Sequence, residues 1–221
     1  MKYFSTSGLG ILLLLAATLP DIDHQAESKL TPDSVLAELK TGNTHHVRHQ
    51  YQHPHETVAR QRELVTGQHP HAELLSCADS RVPPEIIFDQ GLGDLFVVRV
   101  AGNVATDTEI GSLEYGAEHL HISLLVVLGH ESCGAVTAAF QGGKADGHIA
   151  VLLNLIKPAV DQSRGLPGDP VANAVRTNVQ MVVQQLRSST PILSELVAQG
   201  KLKVVGGIYS LETGEVTWLS D

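Results

Sequence analysis

Four short aliphatic runs punctuate an otherwise mixed chain, over residues 72–77, 95–100, 123–129 and 202–209. Each is near-continuous in its apolar residues and bounded by glycine or polar residues, the pattern of strands buried on both faces. Between and after them the apolar positions switch to helical spacing, over 108–120, 135–140, 150–160, 171–187 and 192–199. Strands alternating with helices predict a parallel sheet flanked by helices, an α/β fold. Residues 211–219, turned at Glu212-Thr213-Gly214, predict an added strand at the sheet edge. Ahead of the sheet, Thr31 as N-cap and Pro32 at the first helical position open a short amphipathic helix through Val35, Leu36 and Leu39, which Gly42 should end. A second helical stretch is expected over 56–65. There is no internal repeat and no domain-splitting linker, so 27–221 reads as a single domain.

The N-terminus follows a different pattern. Lys2 is the only charge before Asp21, and residues 9–19 form an almost unbroken apolar run. That run is about half the length a bilayer-spanning helix needs, so residues 1–20 read as a secretory signal peptide, with cleavage as late as 26, rather than a stable membrane anchor. The expected location is therefore periplasmic or secreted. Composition adds one exclusion: Lys and Arg total 15 against 24 Asp and Glu, a formal charge of -9. A chain so acidic repels phosphate backbones, and no nucleic-acid partner is expected.

Chemistry concentrates at two strand ends. Cys77-Ala78-Asp79-Ser80-Arg81 follows the first run, and Gly129-His130-Glu131-Ser132-Cys133-Gly134 follows the third. Both lie at the carboxyl edge of a parallel sheet, where ligands and reacting groups gather in open α/β folds. Cys77, Cys133 and His130 supply two thiolates and an imidazole. Three protein ligands with an open fourth position is the arrangement of a catalytic zinc, the fourth place going to water or Asp79. Two other readings stand beside it. Export favours a disulfide between Cys77 and Cys133, which would leave Asp79, Arg81 and His130 without a reason. Seven histidines between 45 and 71 would suit a zinc buffer, although that tract reads first as solvated surface, its pairs at 53/55 and 69/71 being expected to lack a nearby acidic or thiol partner.

At these residues the chain resembles the β-class carbonic anhydrases. The similarity runs in order through Gly67-Gln68, Cys77 to Glu85, Asp94 to Asn103, Leu113-Glu114-Tyr115, Gly129 to Gly134 and Gly206 to Tyr209, covering about residues 31–219. The resemblance implies a four-stranded parallel sheet with an added edge strand, an N-terminal helical arm, and self-association as a homodimer or tetramer. It implies one Zn2+ on Cys77, His130 and Cys133, with Asp79 and Arg81 as a dyad whose carboxylate pairs with the arginine or swings onto the metal and closes it. Gln68 would hydrogen-bond carbon dioxide or bicarbonate. Phe96, Ala101 and Tyr115 would shape an apolar pocket, partly across a subunit boundary. Leu74 stands where one branch of the family carries the tryptophan of a noncatalytic bicarbonate site, which places this chain with the branch lacking that site.

The implied reaction is reversible hydration of carbon dioxide to bicarbonate and a proton by zinc-bound hydroxide. The residues suit it: carbon dioxide is neutral and hard to polarise, so it needs a strong nucleophile beside an apolar slot. Zinc lowers the pKa of bound water to about 7. Two thiolates reduce the ion's positive charge and should push the optimum towards alkaline pH.

Overall fold

The computed structural model describes residues 31–142 and 145–219. The segment read as a signal peptide lies outside them. The four runs form parallel strands β1 (Ala72–Ser76), β2 (Leu95–Arg99), β3 (Leu124–His130) and β4 (Lys203–Tyr209), and β5 (Val216–Trp218) pairs antiparallel with β4 in the order β2-β1-β3-β4-β5. Every residue of β1 and β3 is buried, as continuous aliphatic runs require of central strands. β2, at the edge, is only half-buried.

Eight helices cover the two faces: α1 (Pro32–Arg48), α2 (Val58–Glu63), α3 (Pro84–Ile87), α4 (Asp107–His119), α5 (Gly134–Gln141), α6 (Ile149–Ser163), α7 (Pro170–Arg187) and α8 (Ile192–Ala198), among the described residues. One face packs Leu74, Val126 and Leu128 against Val35 and Leu39 of α1 and Phe88 after α3. The other packs Leu75, Leu125 and Val127 against Leu113 of α4, Val179, Val183 and Leu186 of α7, and Leu193 of α8. None of the described helices is long and apolar enough to cross a membrane.

Two expectations are corrected. Gly42 does not end the first helix, which runs to Arg48 with Gly42 buried inside it. The glycine is there for closeness: a Cβ would lie 1.7 Å from the Phe88 carbonyl oxygen. The histidine tract is not mere solvated surface either. His45 Nδ1 donates to Asp89 at 2.8 Å, His53 reaches Glu56 at 3.3 Å, His55 donates to Asp94 at 2.7 Å, and His46 lies within hydrogen-bonding distance of Tyr51 and Tyr209. Asp89 and Asp94 sit some forty residues further along, so local pattern could not reveal them.

Candidate metal centre

Three ligand-bearing side chains meet where β1 and β3 end. Cys77 is the residue after β1, His130 closes β3, and Cys133 caps the start of α5. Between the last two, Ser132 takes the left-handed region at φ 52, unusual for a residue with a Cβ. That tight turn brings Cys133 back beside His130. The two sulfurs and an imidazole nitrogen lie within 4.8 Å of one another, all in buried residues, the one such group of at least three among the described residues. The sulfurs are 4.0 Å apart as free thiols, about twice the length of a disulfide bond.

The donor set suits a zinc ion. His130 Nδ1 faces the Glu131 carbonyl at 2.9 Å; a carbonyl only accepts, so Nδ1 carries the proton and Nε2 presents its lone pair to the sulfurs. Nε2 is buried and has no hydrogen-bond partner. A buried unpaired acceptor is costly, and a metal cation would satisfy it. The thiols point the same way. Hydrogen bonding from Cys133 brings the Cys77 thiol down to about 4 against the opposing effect of burial, with help from His130 and the Gly102 N–H, while the Cys77 thiolate pushes Cys133 up. One thiolate thus opposes the ionisation of the other, and a divalent cation held by both sulfurs would remove that repulsion.

The surrounding loop is tied down by groups that pattern alone did not single out. Arg99, at the end of β2, donates to the Cys77 carbonyl at 3.0 Å and the Asp79 carbonyl at 2.7 Å. Gly102 N–H donates to Cys77 Sγ at 3.3 Å, and Asn178 of α7 holds the Gly102 carbonyl at 2.8 Å. Gly102 has φ +73, and a Cβ there would stand 2.6 Å from Ile156 Cδ1. An arginine closing an apolar strand was the available signal for Arg99.

Asp79 and Arg81 form a bidentate pair beside the ligands. Arg81 Nε and Nη2 donate to Oδ1 and Oδ2 at 2.9 and 2.7 Å, and the Arg81 backbone N–H adds a bond at 3.0 Å. The Arg81 side chain holds the Asp79 carboxyl well below the usual carboxylate range. Oδ2 also lies 3.8 Å from His130 Nε2.

Of the other residues marked in the sequence, Ala101 lies beside the ligands and three do not. Ala101 adjoins Gly102 and is half-buried. Phe96 pairs in register with Glu73, four residues before Cys77, roughly 13 Å along a strand rising about 3.3 Å per residue. Its ring packs on half-exposed Tyr115 at 6.3 Å between centroids, and Gln68 is exposed in the loop before β1. The chain therefore gathers Cys77, His130, Cys133, Asp79 and Arg81, whereas Gln68 and Tyr115 are exposed and Phe96 is half-buried at another level of the sheet.

Glu73 escaped sequence reading. It is fully buried, neither carboxyl oxygen has a hydrogen-bond partner, and burial raises its pKa well above 4.5. Below the unfolded value both states hold the proton; above it the unfolded chain releases a proton that the folded chain keeps. Stability therefore falls as pH rises from about 4.5 towards the raised folded value, each unit of elevation being worth about 1.4 kcal/mol. Denaturant melts at pH 5 and pH 8 should show Glu73→Gln losing less stability over that interval than wild type. Equal losses would mean that Glu73 ionises in the fold.

Comparison with known proteins agrees with this geometry. The family model described as "Carbonic anhydrase" matches residues 72–216. Carbonic anhydrase 2 of Mycobacterium tuberculosis is 40% identical over 187 residues, spanning 83% of this chain and 90% of the relative. The carbonic anhydrase of Mycolicibacterium smegmatis is 36% identical, spanning 84% and 92%. Among solved structures, Coccomyxa β-carbonic anhydrase in complex with acetazolamide aligns at TM-score 0.67 and 32% identity over 72% of this chain and 75% of that one. A tetrameric β-carbonic anhydrase of Sordaria macrospora aligns at TM-score 0.67 and 25% identity over 86% and 98%. With the family's motifs meeting at the ends of β1 and β3, the chain belongs to the β-class carbonic anhydrases and is a carbonic anhydrase.

Proposed function

We propose that this enzyme hydrates carbon dioxide to bicarbonate and a proton at a zinc ion held by Cys77, His130 and Cys133. The observation that carries the reading is the buried, unpartnered His130 Nε2 facing two thiols, with the Asp79–Arg81 pair at its side. Zinc bound there would supply Lewis acidity and make a water at the open position more acidic, less strongly than with neutral ligands because two thiolates reduce its charge. Asp79, kept ionised by Arg81, is an acceptor that can orient a proton-bearing oxygen at the open position. Arg81 holds that carboxylate away from the ligands, and Arg99 fixes the loop on which both stand. Zinc content and carbon dioxide hydration by the purified protein test the reading; an active, metal-free enzyme would defeat it.

Gln68 is exposed, and Phe96 packs on half-exposed Tyr115 at the level of Glu73 and not of Cys77, so in self-associated enzyme these three line the site of a second copy. Gln68 supplies a hydrogen bond to substrate, and Phe96 and Tyr115 supply apolar walls. Gln68→Ala should keep zinc and lower kcat/KM by about ten- to a hundredfold, equivalent to about 1.4 to 2.7 kcal/mol. Mixing inactive Cys77→Ser chains with Gln68→Ala chains should restore activity, because one site of a mixed dimer is then intact. No recovery despite subunit exchange would place Gln68 in its own chain's site. Export is proposed from the apolar run at 9–19; recovering the full-length, uncleaved chain from cytoplasm alone would refute it.

A further inference from the structure

Gln68 sits in an irregular exposed stretch before β1, and a loop side chain there has no position of its own unless the backbone is held. What holds it is the tight turn 91–94 ahead of β2. Asp94 is 2% exposed. Its carboxylate accepts from His55 Nδ1 at 2.7 and 2.8 Å and from the Gly91 N–H at 2.8 Å, with the Arg60 guanidinium at 3.6 Å. Its carbonyl accepts from the His71 N–H at 3.0 Å. Arg60 and His71 bracket Gln68, so both ends of its segment hang from one residue.

The turn is shaped as a seat. Arg60 Nε donates to the Leu92 carbonyl at 3.0 Å. A Cβ on Gly91 would stand 1.9 Å from the Pro54 carbonyl oxygen, and one on Gly93, at φ +80, 2.8 Å from the Leu64 methyls. Two residues beyond Asp94, Phe96 packs on Tyr115. One buried carboxylate thus ties the loop carrying Gln68 to the strand carrying Phe96.

We propose that Asp94 is a positioning residue for Gln68, anchoring residues 55–71 on the start of β2 so that the amide meets substrate in register with the aromatic walls. This rests on Gln68 being the substrate's hydrogen-bond partner. Charge-assisted bonds to a buried carboxylate fix geometry more strongly than neutral ones, and displacing a positioning group by about 1 Å can cost a hundredfold in rate.

Asp94→Asn keeps the size and one acceptor but removes the charge. It should retain zinc, speed amide hydrogen exchange across residues 58–71 while β1 and β3 stay protected, and lower kcat/KM by about tenfold. Added to Gln68→Ala, it should cost less than about a further twofold, because the group it positions is gone. His55→Ala, at a half-exposed position that spares the core, should speed exchange in the same segment with a smaller kinetic loss. Unchanged exchange in both variants, or a full additional factor in the double variant, overturns the positioning role while leaving Gln68 in place. If Gln68→Ala alone leaves kcat/KM unchanged, the assignment of Gln68 fails and this proposal falls with it.

Discussion

Cys77→Ser protein is expected to emerge without bound zinc and without measurable carbon dioxide hydration, yet with its fold intact. The loss should be nearly complete because the thiolate is one of the three ligand side chains that converge there among the described residues, and a serine hydroxyl does not ionise near neutral pH. The fold should survive because the Cys77 loop is anchored through backbone groups: its carbonyl accepts from Arg99, and the Gly102 segment is held by Asn178. Metal analysis alongside circular dichroism makes the test. Full zinc occupancy in the variant would mean that the metal sits elsewhere, and a metal-free, active wild type joined through Cys77 and Cys133 would restore the disulfide reading.

Arg81→Ala should keep zinc and lose activity by about a hundredfold or more, equivalent to at least about 2.7 kcal/mol. The arginine makes three of the hydrogen bonds that hold the Asp79 carboxylate, two from its side chain and one from its backbone, and the substitution removes the two from the guanidinium. Oδ2 already lies 3.8 Å from His130 Nε2, so the freed carboxylate needs only a small rotation to turn onto the ligands and close the open position. Asp79→Ala should instead leave that position open but poorly oriented, with a loss of a different kind: exogenous small anions should inhibit it more readily than they inhibit Arg81→Ala. An Arg81→Ala enzyme with wild-type kinetics would reduce the pair to a surface contact.

Much of this was legible along the chain, for a physical reason. Strands buried on both faces must be apolar throughout, and helices between them must be apolar on one side, so β1 to β4 and α4 to α8 announced themselves by periodicity. Cys77, Asp79 and Arg81 lie within five residues, as do His130 and Cys133, and local spacing displays such groupings. Tertiary structure decided what depends on distant partners. Gly42 lies within a helix, and its glycine is required because the Phe88 carbonyl would meet any Cβ there. His45 and His55 are anchors because Asp89 and Asp94 meet them across the fold, and Glu73 is a buried acid whose carboxyl lies against Gly116 of α4. Arg99 serves the ligand loop from a neighbouring strand, and Gln68, Phe96 and Tyr115 lie apart from the ligands although they belong to the same set of motifs. A residue's type and spacing determine what it can do, whereas the direction it faces and what it meets are set by packing between elements far apart in sequence.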